Sequence, residues 1–214
     1  MWEWTLNWDE VRNDLVIGSC PMTTADIGRI RDETAVTALL SLQSDACHEA
    51  FGIDWDAFRA HGELLDLAMV NAPMLDFDPP DQRRALPGAI GCLHDLLTAG
   101  HRVYLYCTAG ENRAPLAALA YFTFVEMQPA EAAMRLLKSA RPQSDPSWEA
   151  YHGCRADLVA ALRENIMVRA YYLSQQDEED DPQTHWLRAE AETIRAAFLN
   201  GRAAPRARLD PSRE

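Results

Sequence analysis

Long apolar runs are absent from this chain. No stretch reaches the roughly eighteen consecutive apolar residues that a membrane-crossing helix needs, so no segment is expected to span a bilayer. Basic residues are also scarce, with 20 lysines and arginines against 33 aspartates and glutamates and a formal net charge of −13. Nucleic acid and anionic membrane surfaces are therefore excluded as expected partners, because both are bound through clustered positive charge. Highly acidic phosphopeptides are disfavoured as well, unless local arginines such as Arg83 and Arg84 receive them. The five cysteines (Cys20, Cys47, Cys92, Cys107 and Cys154) show no metal-ligand spacing and no disulfide framework. They point to a reducing compartment, so a cytoplasmic protein is expected. The six histidines (His48, His61, His94, His101, His152 and His185) are not paired at ligand spacing, and neither a metal nor another cofactor is expected. The opening Met-Trp-Glu-Trp has no basic region followed by an apolar core, so no signal peptide is read there. No internal repeat is present.

Strand-like apolar runs are present near residues 15–19, 35–42, 67–73 and 102–107. Helical patterns alternate with them near 24–33, 54–65, 82–98, 113–127, 129–140 and 148–164. That alternation predicts an α/β fold, with a mainly parallel central sheet covered by helices on both faces. The chain divides into a catalytic-type domain at 1–165, a helical appendage with an acidic loop at 166–200, and a tail at 201–214 predicted to be disordered. Within the appendage, Asp177 to Asp181 form an acidic run ended by Pro182. The pattern from Thr184 to Leu199 then predicts an amphipathic helix, with Trp186, Leu187, Ile194 and Phe198 on its apolar side. This helix is expected to dock back on the main body or to bind a partner. The oligomeric state is not determined by the sequence.

Cys107-Thr108-Ala109-Gly110-Glu111-Asn112-Arg113 follows the apolar run Val103-Tyr104-Leu105-Tyr106 and precedes a helical pattern with Pro115 in its first turn. A loop between a strand and a helix start makes an anion cradle, since its backbone N–H groups and the helix dipole favour the same negative charge. A phosphate held by residues 108–113 would sit beside Cys107. An ordinary thiol titrates near pH ~8.5, and such positive surroundings lower that value toward a thiolate nucleophile. Arg113 supplies a planar fork for two phosphate oxygens. Competing with this is a buried cysteine that simply ends a core strand.

Ester cleavage by a thiolate needs a proton donor for the leaving oxygen. Asp76-Phe77-Asp78-Pro79-Pro80-Asp81 lies between a predicted strand and a helix predicted from about Gln82, and its two prolines predict an exposed loop. Three aspartates compete for the role. Asp76, at the strand's end, is the expected acid, and Asp81 is the expected helix cap. The 73–77 and 105–107 junctions are both carboxyl ends of predicted parallel strands, which is where ligands of such sheets bind.

An acid loop followed about thirty residues later by Cys-x5-Arg resembles the dual-specificity class of cysteine phosphatases. Several stretches resemble its glucan phosphatase branch (plant starch-excess and laforin type) more closely. These are Asp14-Leu15-Val16-Ile17-Gly18-Ser19-Cys20, Ser41-Leu42-Gln43, Phe51-Gly52-Ile53-Asp54, Asp76-Phe77-Asp78, Leu86-Pro87 and Cys107-Thr108-Ala109-Gly110 with Arg113-Ala114-Pro115. The resemblance spans roughly residues 7–160. It implies the dual-specificity phosphatase fold, with Cys107 as nucleophile, Arg113 as phosphate clamp and Asp76 as general acid. It also implies that Trp8, Phe51 and Phe77 line a substrate cleft, with a phosphorylated glucan or a phosphoprotein as substrate. The chain departs from the pattern at Tyr106, where a histidine is usual, at Glu111, and at Asn112, where glycine is common. Ala114 lacks a hydroxyl, and Ala50 replaces an aromatic. No carbohydrate-binding module is visible on either side.

Three readings follow. The first is a phosphomonoesterase working through a phosphocysteine. The second is a phosphate-binding module without turnover, suggested by Tyr106 and Glu111. The third is a thiol redox or sulfur-transfer protein, which would leave Arg113 and Asp76 without a role. Trp55, Phe58 and His61, at helical spacing after Phe51, read as core contacts or as one wall of the cleft.

Overall fold

The computed structural model describes residues 4–176 and 181–201; Trp2, the acidic residues 177–180 and the tail from 202 lie outside the described residues. Four parallel strands form the centre of the sheet: β2 (Leu15–Gly18), β3 (Ala38–Gln43), β4 (Ala68–Met74) and β5 (Val103–Tyr106). An edge strand, β1 (Trp8–Arg12), runs antiparallel to β2, giving the order β1-β2-β5-β3-β4. The parallel strands are the predicted runs, shifted by one to three residues at some ends. β1 was not predicted, because Trp8-Asp9-Glu10-Val11-Arg12 has a single buried residue and reads as polar chain.

Side chains alternate across a strand, and that parity divides the core. Leu15, Ile17, Leu40, Leu42, Val103 and Leu105 face one cluster. It is roofed by α4 (Pro79–Thr98), α5 (Arg113–Phe124), α6 (Ala130–Ala140) and α7 (Trp148–Ala161). Val16, Leu39, Tyr104 and Tyr106 face the other, beneath α1 (Thr24–Thr34) and α3 (Trp55–Leu64). The short α2 (Asp45–Phe51) follows β3. Helices thus cover both faces of a mainly parallel sheet, as the alternation predicts.

Several expectations need correcting. Pro79 and Pro80 do not keep the chain out of helix. They open α4 at its first two positions, where the missing N–H groups would have had no intrahelical partner. The cap is Asp78, whose side chain accepts from Asp81 N at 2.9 Å, and not Asp81. In the appendage, the pattern predicted to end near 164 breaks at Leu162. From there α8 (Arg163–Gln176) runs through the boundary expected at 165 and pairs with α9 (Pro182–Leu199). Ile194 and Phe198 enter the main core, so α9 docks back on the body. Leu187 is 47% exposed although it falls seven residues before Ile194 on the same helix face. Among the described residues no helix is long and apolar enough to cross a membrane.

Candidate active site

β5 ends at Tyr106 and α5 begins at Arg113, leaving six residues to turn between them. The turn is fixed from outside. The Thr108 carbonyl accepts from Cys20 N at 3.1 Å, and the Ala109 and Gly110 carbonyls accept from Arg141 Nη2 and Nε at 2.8 and 2.7 Å. The Glu111 carbonyl accepts from Asp145 N at 2.6 Å and the Asn112 carbonyl from Leu116 N at 2.9 Å. In a trans peptide the N–H of one residue points opposite to the carbonyl of the residue before it. Five consecutive carbonyls tied outward therefore turn the N–H groups of residues 109–113 inward, and none of these has a protein acceptor among the described residues. Gly110 makes the turn possible. It sits at φ +71°, and a Cβ there would collide with the Gly18 carbonyl and lie 3.0 Å from Arg141 Nη2.

Arg141 is fully buried although it carries a full charge. Besides the two loop carbonyls it donates to Asp9 Oδ2 at 2.7 Å and Asn7 Oδ1 at 2.6 Å, so the N-terminal segment is part of the support. The sequence reading missed Arg141, because a lone arginine after a helix ordinarily marks a solvated helix end.

Cys107 is 3% exposed and stands at the floor of this cradle, at the carboxyl end of β5. Arg113, fully buried, reaches under it to the ends of two neighbouring strands. Its Nη1 donates to Met74 O at 3.0 Å and Leu42 O at 3.4 Å, and touches Cys47 Sγ at 3.3 Å. Its Nη2 donates to Asp76 Oδ2 at 2.7 Å and Thr108 Oγ1 at 3.0 Å, while Nε has no partner among the described residues. Burial lowers the Arg113 pKa, but the charges of Cys107 and Asp76 and contact with Cys47 outweigh it and hold the value above its ordinary one. The neighbouring thiols respond in opposite directions. Burial, reinforced by the charge of Cys107, pushes Cys20 up to about 12. Burial also raises Cys47, but hydrogen bonds from Ser44 and Arg113 and the arginine's charge leave it below its ordinary value.

The structure thus brings Cys107, Arg113 and Asp76 together from β5, α5 and the β4–α4 loop. Glu111 is exposed. Phe77, next to Asp76, is 88% exposed and holds the left-handed φ of 53°. Trp8 pairs with Gly18, itself opposite Tyr106, so it stands at the same end of the sheet. Its ring meets Tyr104 edge-on at 6.4 Å and carries the Arg29 guanidinium at 5.5 Å. Trp8 and Phe77 stand at opposite sheet edges, and Trp8 on β1 and Phe51 at the end of α2 both pack partly against the second core cluster, whereas Phe77 does not. Phe58 is core, and Trp55 stacks on His48 at 5.8 Å.

No family model matches the chain. It is 32% identical over 165 residues to the amyloplastic phosphoglucan phosphatase DSP4 of Castanea sativa, covering 76% of this chain and 44% of that protein. To the chloroplastic phosphoglucan phosphatase LSF1 of Arabidopsis thaliana it is 30% identical over 116 residues, covering 54% of this chain and 20% of that one. The chain therefore spans less than half the length of these curated relatives. The solved structure of PTPMT1 superposes with a TM-score of 0.57 at 13% identity, over 74% of this chain and 99% of that one. Human DUSP28 superposes with a TM-score of 0.52 at 18% identity, over 70% and 90%. The fold is that of the dual-specificity and tyrosine phosphatases.

Proposed function

We propose that this chain, a sequence relative of phosphoglucan phosphatases on a dual-specificity phosphatase fold, is a cysteine-dependent phosphomonoesterase. One observation carries the reading most. Five loop carbonyls are pinned outward around Cys107, beside a buried arginine whose Nε is unpartnered among the described residues and whose Nη2 holds a carboxylate. A phosphate ester entering the cradle takes the inward N–H groups and the Nε–Nη2 edge of Arg113, which frees Asp76 from its ion pair. The Cys107 thiolate attacks phosphorus, the bond to the leaving oxygen breaks, and Asp76 in its protonated form gives that oxygen its proton. Asp76 then accepts a proton from water as the water oxygen attacks phosphorus. The S–P bond breaks, thiolate returns and inorganic phosphate leaves. The loop amides and Arg113 hold the equatorial oxygens in both steps.

The substrate within this reading is a phosphorylated glucan, supported by the two relatives' names and by Phe77 standing free beside Asp76. A phosphoprotein is the alternative. The working unit is the part of the chain that precedes α8, with α8 and α9 as a docked appendage. A cytoplasmic location belongs to the same reading, supported by five free thiols, whereas the names of both relatives place those proteins in plastids.

The decisive test is Cys107→Ser. Hydrolysis of an aryl phosphate should vanish while vanadate still binds, because a serine hydroxyl titrates far too high to serve as the nucleophile but the loop amides remain. Activity that survives the substitution rejects the phosphocysteine mechanism, and vanadate binding without turnover in the unsubstituted protein favours the binding-module reading.

A further inference from the structure

Gln82 lies on the buried stripe of α4, in line with Leu86, Ala89, Ile90 and Leu93, and it is fully buried. Its Nε2 donates to Leu75 O at 3.2 Å and to Asn112 Oδ1 at 3.1 Å. Leu75 immediately precedes Asp76, and Asn112 immediately precedes Arg113. The amide orientations follow from one another. The Asp145 carbonyl can only accept, so Asn112 turns Nδ2 to it, at 2.8 Å. That leaves Asn112 Oδ1 facing Gln82, whose NH2 must answer it. Gln82 Oε1 is buried with no partner among the described residues. An apolar side chain would fill the place without that orphaned acceptor, so packing alone does not account for the amide.

The direct link between the two halves of the site is the Asp76–Arg113 ion pair at 2.7 Å. It cannot persist through the reaction, because bound phosphate takes the same arginine edge and the acid must carry a proton. The bonds that remain, from Arg113 Nη1 to Met74 O and from Leu75 N to Asp81 Oδ2, hold the strand end and the loop's own turn, and Gln82 adds the link from Leu75 across to the cysteine loop. We propose that Gln82 and Asn112 form a tether that keeps Asp76 within reach of the leaving oxygen once phosphate has displaced it from Arg113. Both are positioning residues, acting through the Leu75 and Asn112 backbone, and the inference rests on the phosphatase reading.

The test compares an aryl phosphate, whose leaving group needs no proton, with an alkyl phosphate, whose leaving group does. Gln82→Met preserves length and volume but donates nothing. It should lower turnover of the alkyl ester by up to about 10²-fold, the usual cost of misplacing a catalytic group by an ångström. Turnover of the aryl ester and the inhibition constant of vanadate should stay within about threefold of the parent. Asn112→Ala should produce the same change in the ratio of the two esters, whatever it does to absolute rates. The double variant should change that ratio no further, because both substitutions interrupt the same chain of bonds from Leu75 through Gln82 to Asn112. Equal losses on both esters, an unchanged ratio, or additive effects in the double variant overturn the tether while parental aryl turnover keeps the phosphatase reading intact. If the parent turns over neither ester, that reading falls and the tether with it. Should Gln82→Met lose its cooperative thermal transition, the ester ratio of Asn112→Ala decides alone.

Discussion

At the scale of single residues the site is a set of charges held where water would ordinarily hold them. Asp76 is 30% exposed in its side chain, whereas its partner Arg113 is fully buried, so the carboxylate is the member free to change partners. Asp76→Ala should slow alkyl phosphates by roughly 10²–10⁴-fold, the range for a general acid, and spare activated aryl esters. If Asp78→Ala or Asp81→Ala gives that leaving-group dependence instead, Asp76 is not the acid. The structure already occupies the other two elsewhere. Asp78 caps α4, and Asp81 accepts from Leu75 N at 2.7 Å and pairs with Arg84. Arg141 offers a second test, because a fork can bridge two carbonyls and an ammonium cannot hold both in the same geometry. Arg141→Lys should weaken vanadate or phosphate inhibition by about tenfold to hundredfold, the worth of one or two hydrogen bonds to a charged group. Unchanged inhibition would mean that the loop keeps its shape without the fork.

At the scale of elements, α5 shows why the cradle does not give way. All but one of its twelve residues are buried, so its N-terminus cannot shift without disturbing the core. Pro115 falls in the first turn, where no intrahelical N–H is needed. The α8–α9 pair is held with less apolar contact and more charge. Glu192 on α9 accepts from Arg169 on α8 at 2.6 Å and from Arg188 at 3.0 Å. Burial raises its pKa, but these two arginines outweigh burial and leave the folded value below the ordinary one. A depressed carboxylate contributes stability that is complete above its unfolded pKa, near ~4.3, and is lost as pH falls through the folded value. Thermal denaturation followed from about pH 6 to about pH 3 should therefore lose less in Glu192→Gln than in the parent, with the difference confined below the ordinary glutamate range. A constant difference across that range would show that the ion pairs do not stabilise the native state.

At the scale of the whole molecule, sheet order decides what a substrate meets. β1 and β4 are the two edges, so Trp8 and Phe77 stand apart with the cradle between them instead of forming one continuous aromatic platform. An exposed aromatic face stacked on a sugar contributes on the order of 1 kcal/mol, by analogy with aromatic pairs. Phe77→Ala should accordingly reduce phosphate release from a phosphorylated glucan about fivefold or more while leaving a small aryl phosphate nearly unaffected. Phosphotyrosyl and phosphoseryl peptides and a phosphoinositide, the ligand named in one PTPMT1 structure, belong in the same comparison. Equal losses on glucan and aryl ester would favour the phosphoprotein reading.

The sequence by itself determined the four parallel strands, the alternation that makes their sheet parallel, and the Cys-x5-Arg loop. Those depend on short-range periodicity and on the local chemistry of a strand–loop–helix turn. It also placed an aspartate at the end of β4, because a strand end and a proline pair are local signals. It misread Pro79 and Pro80, since proline excludes helix everywhere except at the positions they occupy. Only the tertiary structure decided which residues hold the loop. Arg141 and Asp145, Asn7, and Cys20 come from three segments distant from the loop in sequence, and each acts through hydrogen bonds whose partners no pattern announces. Gln82 left one trace, a polar residue on an apolar helix stripe, and its meaning depended on Asn112 being thirty residues away in sequence and 3.1 Å away in space.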